Sequence, residues 1–370
     1  MTTLCARYEI SRKTGYKWLG RYEAGGLAAL EELSRRPHRS PRSTEAAVLA
    51  AVLEMRRHHP TWGGKKLAVT LERRWPSLPR CAPSTIALLL KRHGLITSTR
   101  RRRALGHPGR PMSPMIEPNA VWTADFKGQF PTRDGRLCYP LTVADGASRF
   151  LLACRALPSV RTSETKPMFE RLFRERGLPD RIRTDNGVPF ATIALARLSP
   201  LSVWWLRLGI RPELIQPGHP EQNGRHERMH RTLKAETQRP PAGSRGAQQR
   251  AFDRFRQTFN EERPHEALGQ EPPATRYRAS ERAYPETLAP LEYPAHWEVR
   301  RVSKNGGVRW HNQWVNVSHV LAEQYIAFEE TGDGLWDVHF GPMVLGHFHE
   351  PLLRIEDANG KLVRNPRQPR

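Results

Sequence analysis

Apolar residues recur at helical spacing through the first hundred positions and at strand spacing after Val121. The segment Ile10 to Leu19 opens with Ser11 as a helix N-cap behind an apolar residue. It sets Tyr16 and Leu19 at helical spacing, with Arg12, Lys13 and Lys17 facing elsewhere. Further helices are predicted from Thr44 to Met55, from Trp62-Gly63-Gly64 onward to Leu71, and from Pro83 to Arg92, the last closed by Gly94. Beyond Val121 the period shortens. Val121–Lys127 and Leu137–Ala144 read as strands meeting near Asp134-Gly135, and Arg149–Arg155 reads as a third. A helix over about 162–176 and a strand Arg181–Thr184 follow, so the middle of the chain is expected to be a mixed α/β layer. Gln248 to Glu262 is a helix with Phe252, Phe255 and Phe259 on one side, a packing face. The alternating runs Val308–Val317, Tyr325–Phe328, Leu335–Phe340 and Met343–Gly346, parted by glycine turns, predict a small β-barrel. Such a module suits DNA, a sister subunit, an oligosaccharide or a peptide equally.

These patterns divide the chain into a truncated helix-turn-helix unit at 1–34, a second helix-turn-helix-like unit at 44–99 and an α/β core at 115–238. A helical segment at 247–280 and the barrel at 297–356 complete it. The first unit is expected to be truncated because Met1 leaves almost no room for its leading helix. Basic, proline-containing linkers separate the units at Arg35–Arg42, Arg100–Pro118 and Arg239–Arg245, as expected of segments that follow a phosphate backbone.

Charge sharpens this division. The chain carries 60 Lys+Arg against 37 Asp+Glu, a net +23, and residues 1–111 hold 23 of the bases but 7 of the acids. An excess of this size calls for a polyanion, with nucleic acid first, and its placement points to a DNA-binding front end. Ser11, Arg12, Lys13 and Lys17 on the first helix are the candidate DNA contacts there. Ser84 and Thr85 on the Pro83 helix, and the run Arg100, Arg101, Arg102 and Arg103, are the others. The apolar runs are too short for a membrane span, and the N-terminus has no secretory pattern. The four cysteines, Cys5, Cys81, Cys138 and Cys154, form no C-x-x-C pair, which fits a reducing cytoplasm and argues against a disulfide framework or cysteine-rich zinc site.

Three acids stand out against this basic background. Asp125 sits within an apolar strand, Asp185 where a strand ends in a turn, and Glu227 where a loop enters a helix. A carboxylate on a buried strand is costly unless paired or bound to a metal, and converging carboxylates supply the oxygen ligands that Mg²⁺ prefers. Two such ions suit an in-line displacement at phosphorus. Alone, each acid has a plainer reading: a satisfied core acid, a turn residue, and an i,i+4 partner of Arg231. Asp145 reads as structural. His219, His226 and His230 read as DNA contacts or helix surface, and no zinc is expected.

Taken in order, the segments Trp-x-x-Asp125, Thr-Asp185-Asn-Gly and His-Pro-x-x-Asn-Gly-x-x-Glu227-Arg resemble the DDE core of bacterial insertion-sequence transposases and retroviral integrases. The front end is similar to their helix-turn-helix units. Asn260-Glu-Glu-Arg-Pro-His-Glu-Ala-Leu268, with Pro272-Pro273 and Tyr277, is similar to their post-catalytic segment. The resemblance implies an RNase H-like fold in which Asp125 ligates two Mg²⁺ (or Mn²⁺) ions, Asp185 one and Glu227 the other. Arg231 and Lys234, at i+4 and i+7 from Glu227, would hold DNA phosphates beside them. The 41 residues between Asp185 and Glu227 exceed the usual spacing, which places extra residues near Ala194–Leu201 and leaves Glu221 as a competing third acid. The implied function is a transposase that binds the terminal inverted repeats of its element and performs metal-dependent cleavage and 3′-OH strand transfer into target DNA. It would work as a homo-oligomer in the bacterial cytoplasm, at the nucleoid. An inert DNA-binding regulator and a nuclease without joining activity are the alternatives.

Overall fold

The computed structural model describes residues 1–31, 44–96, 112–357 and 360. The runs Arg35–Arg42 and Arg100, Arg101, Arg102 and Arg103 lie outside the described residues.

At the N-terminus, α1 (Thr2–Arg7) and α2 (Arg12–Gly25) form a helical pair. The predicted cap is in place, with the Thr14 amide donating to Ser11 Oγ at 3.2 Å. Cys5 is buried and meets Gly15, where an added Cβ would come within 2.5 Å of the thiol sulfur, so a glycine is what lets the helices close. Tyr16 and Leu19 do not form a core. They are exposed, as are Leu4, Tyr8 and Tyr22. The helical period placed them together, but this pair of short helices is too small to cover them.

Three further helices follow, α3 (Ala46–His58), α4 (Gly64–Arg74) and α5 (Pro83–Arg92). Leu67 and Leu71 of α4 and Ile86, Leu89 and Leu90 of α5 are buried.

The α/β layer is built on β1 (Val121–Phe126), β2 (Phe130–Pro131), β3 (Leu137–Asp145), β4 (Leu151–Leu157), β5 (Arg181–Thr184) and β6 (Arg211–Leu214). Strands β4, β3 and β1 run antiparallel to their neighbours, whereas β1, β5 and β6 are parallel, so β1 is central. Side chains alternate along each strand. Trp122, Ala124, Leu141 and Val143 face α6 (Thr162–Arg176) and α7 (Pro200–Arg207), where Phe169, Phe173, Trp204 and Trp205 complete one core. Cys138, Leu151 and Cys154 face the other way, toward α8 (Gly224–Thr237) and α9 (Arg245–Gln257). There Met229, Leu233, Phe252 and Phe255, with Phe259 just beyond α9, make a second core. The last linker is no free strap, since Arg133 donates to the carbonyl of Ala242, and Ala242 to Gln248.

The C-terminal region departs from the predicted barrel. It contains an open five-stranded antiparallel sheet of β7 (Glu298–Arg301), β10 (Tyr325–Gly332), β11 (Leu335–Phe340), β12 (Met343–His349) and β13 (Arg354–Asp357). A separate ribbon joins β8 (Gly307–Trp310) to β9 (Gln313–Asn316). The ribbon splits the run Val308–Val317 at His311-Asn312. It lies beside both edges of the sheet, yet its ladder is only with itself. The Gly306 carbonyl takes the amides of both Val317 and Ser318, where the chain leaves the ribbon. Trp310, Phe328, Phe340 and Phe348 fill the interior. Leu195 and Leu198, from the extra length between Asp185 and Glu227, pack into this same cluster with Val203 and Leu206 of α7. Among the described residues, no helix is long and apolar enough to cross a membrane.

Candidate active site

Asp125 and Asp185 arrive on neighbouring parallel strands. Ala124 pairs with Thr184, and each aspartate is the next residue along. Adjacent strands are about 4.8 Å apart, so the two carboxylates leave the same end of the sheet side by side. Alternation puts Asp125 on the α8 face with Thr123, opposite the Trp122 and Ala124 core. Its side chain is 16% exposed. Asn223 stands at the N-cap of α8 without capping it. Its amide instead donates to Asp125 Oδ2 at 3.3 Å. Burial raises the Asp125 carboxyl to about 7, helped by the charge of Asp185 and, more weakly, Glu227, and opposed by Lys127. Burial also raises Asp185, against the Gly187 amide that donates to its Oδ1 at 3.2 Å. Asn186 shapes the turn by donating to the Ile215 carbonyl at 2.8 Å.

Glu227 lies in the first turn of α8 and is exposed, as are Arg231 and Lys234 farther along the helix. The three acids are near enough for their charges to be felt at Asp125. They are not gathered tightly. Among the described residues, the trio whose ligating atoms lie within 4.8 Å is Glu329, Asp337 and His339 in the C-terminal sheet. The side chain of Glu221 lies outside the described ones.

The donor set nonetheless fits a divalent cation. A half-buried carboxyl held near neutrality by burial and by like charges is short of positive charge. Beside it the buried Oδ1 of Asn186 has no hydrogen-bond partner.

Beneath Asp125 lies a network that the sequence did not announce. His226 and His230 are 2% and 4% exposed, not surface residues or DNA contacts. Each places Nε2 2.6 Å from Thr142 Oγ1, while Thr142 reaches the Asp125 carbonyl at 3.1 Å. A hydroxyl has one proton and two lone pairs. Donating to that carbonyl, Thr142 accepts from both imidazoles, which leaves His230 Nδ1 unprotonated and 3.7 Å from Asp125 Oδ2. Burial lowers His226 to about 3 and His230 to about 2, so both rings are neutral. The signal was present as a stripe: His226, Met229, His230, Leu233 and Thr237 recur at helical spacing, and all are buried.

Asp145 is buried and structural. It accepts from the Asn119 amide at 2.7 Å and from both the amide and hydroxyl of Ser148. Of the predicted DNA contacts in the described residues, Ser11, Arg12, Lys13, Lys17 and Ser84 are exposed and Thr85 is half-buried.

Integrase core domain families match residues 116–220 and 208–273, and a homeodomain-like domain family matches residues 14–90. An uncharacterised 31.7 kDa protein of insertion element IS407 from Burkholderia multivorans is 29% identical over 249 residues, covering 64% of this chain and 84% of that protein. A 39.2 kDa protein of insertion element IS476 from Xanthomonas euvesicatoria is 26% identical over 271 residues, covering 72% and 75%. The chain has an integrase-like core and is related to proteins of insertion elements. The chain is also similar to the HTLV-2 integrase catalytic core domain in complex with magnesium. That match has 16% identity and a TM-score of 0.36, over 44% of this chain and 99% of that one. A simian T-cell lymphotropic virus intasome chain matches at 16% identity and TM-score 0.38, over 86% and 99%. The family matches assign the front helices to a helix-turn-helix, homeodomain-like region and the α/β layer to an integrase core.

Proposed function

We propose that the chain is a transposase that cuts DNA at the ends of its element and joins the freed 3′-OH to target DNA, with Asp125, Asp185 and Glu227 as the catalytic acids. The observation that carries the reading is the pairing of Asp125 and Asp185 at the ends of adjacent parallel strands, with Asp125 raised by burial and by the charge of Asp185. Mg²⁺ or Mn²⁺ held by the three acids would neutralise a scissile phosphodiester and favour deprotonation of the attacking hydroxyl. Asn223 orients Asp125 through its amide, and His230 packs behind it. Arg231 and Lys234 hold neighbouring phosphates from the exposed face of α8, and Lys127 adds positive charge beside the acids. Cleavage breaks one P–O3′ bond and adds water across it. Joining exchanges one phosphodiester for another, so no external energy source is needed and no serine or tyrosine nucleophile is assigned.

Ser11, Arg12, Lys13, Lys17, Ser84, Thr85 and the arginines 100–103 are proposed to contact DNA. Domain limits at 34, 44–99, 115–238, 247–280 and 297–356 are proposed on the same basis. Pairing two element ends calls for at least two copies of the chain, acting on chromosomal DNA in the cytoplasm.

The test is purified protein, Mg²⁺ and a labelled duplex ending in the element's terminal repeat. Joined products that vanish in Asp185→Asn are expected. Cleavage without joining would indicate a nuclease, and binding without either an inert regulator. Full joining by both Asp125→Ala and Glu227→Ala would refute the site.

A further inference from the structure

A cavity of about 290 Å³ lies on the flank of α8 formed by Arg225, Arg228 and Thr232. It is closed by the turn between β3 and β4, by the segment after α9 and by Lys66 of α4. Lys66, Arg149, Arg225, Arg228 and Arg263 line it, against two acids that are engaged elsewhere. Asp145 is saturated by Asn119 and Ser148, and Glu266 pairs with Lys65 at 2.6 Å.

The bases are poorly matched. Lys66 donates only to the Pro264 carbonyl, and Arg225 to the Gly146 carbonyl at 2.9 Å and the Met115 sulfur at 3.1 Å. Arg263 has Glu236 at 3.1 Å, but Arg149, Arg225 and Arg228 have no ion pair within 4.0 Å among the described residues. Burial and the charges of Arg225 and Arg228 push Arg149 down to about 10. Burial and Arg263 push Lys66 down to about 8. Clustered charge of one sign is costly where it is partly buried, and an anion is what relieves it.

Two further features belong to the lining. Arg149, which lines the cavity, is held at φ 65°, a left-handed conformation that a side-chain-bearing residue adopts at a cost. His265 also lines it, and its buried Nε2 has no hydrogen-bond partner.

We propose that this cavity binds a phosphoryl group, held by Arg149, Arg225, Arg228 and Lys66, at a place separate from the three acids. Planar guanidinium forks match phosphate oxygens in pairs, and several of them favour a multiply charged anion over chloride. The phosphate is either one in a DNA backbone or a free one. Because Lys66 comes from α4 and the arginines from the core, an occupied cavity ties the second helical unit to the core.

The experiment is calorimetric titration of the full chain with inorganic phosphate in EDTA, at ionic strength matched with sodium chloride. A parallel arm measures affinity for a labelled duplex. Saturable phosphate binding is expected, weakened about tenfold or more by Arg149→Gln and by Arg228→Gln. Arg228 is exposed, so its variant folds even where Arg149→Gln does not. Asp125→Asn/Asp185→Asn should keep phosphate binding, so this proposal stands or falls apart from the catalytic one. Loss of duplex affinity in the two arginine variants identifies the DNA backbone as the source, whereas unchanged duplex affinity with lost phosphate binding identifies a free anion. Absent phosphate binding in the wild type with duplex affinity unmoved by Arg149→Gln and Arg228→Gln, or phosphate binding equal in the wild type and both variants, overturns the proposal.

Discussion

His230 presents Nδ1 to Oδ2 of Asp125 at 3.7 Å while its other nitrogen is fixed on Thr142. The ring is a strut between the α8 helix and the strand that carries the acid. His230→Ala leaves the Thr142 hydroxyl short of a partner and opens a small void in a buried site. A loss of about 2–4 kcal/mol is expected by urea denaturation. Strand joining should fall with it, while duplex affinity holds, because His230 is buried and touches no DNA in the proposed scheme.

The Asp125 carboxyl has the opposite sign from most carboxylates. Its folded value, about 7, lies above the ordinary 3.8. Its contribution to stability is therefore full below about pH 4 and is lost as pH rises through 7, a penalty approaching about 4 kcal/mol by pH 8 in metal-free protein. Asp125→Asn should melt higher than the wild type at pH 8 in EDTA, and the gap should close toward pH 4. Mg²⁺ should narrow the gap at pH 8 by stabilising only the wild type. Equal melting temperatures at pH 8 in EDTA would show that the carboxyl is not held in this way.

Gly64 opens α4 against the backbone of α5, where an added Cβ would come within 2.4 Å of the Pro83 carbonyl oxygen. Alanine ordinarily favours a helix over glycine by about 1 kcal/mol. Here the clash with rigid backbone outweighs that gain, and Gly64→Ala is expected to destabilise by about 1–3 kcal/mol in a thermal melt. A stabilised variant would mean that α4 and α5 can separate freely.

Arg231 and Lys234 project from the exposed side of α8. If each neutralises one phosphate, Arg231→Ala and Lys234→Ala should each lower the slope of log affinity against log salt by about 0.9, uniformly across duplex sequences. Unchanged slopes would remove them from the DNA path.

Much of this molecule was legible before its structure. The strand Arg181–Thr184 and the helix 162–176 stand where the pattern put them, because each has a clean period and clear stops. The strand β6 was missed: Arg211–Leu214 is four residues long with Pro212 inside, at the edge of the sheet where proline is tolerated. In the site, Asp125 and Asp185 announced themselves as acids in apolar or turn settings. His226 and His230 did not, because their polarity masked the core stripe they share with Met229 and Leu233. The open C-terminal sheet was beyond reach for another reason. Strand alternation gives faces, but closure depends on register between distant segments.

The surplus residues around Leu195 and Leu198 have a consequence for modularity. They insert into the interior of the C-terminal sheet, beside Val302, Phe340 and Phe348, so the sheet and the α/β layer share one continuous apolar seam. A detachable tail would leave the catalytic half intact when trimmed. This one is welded on, and a chain cut before Glu298 would bare that seam to water a few residues from the turn that carries Asp185.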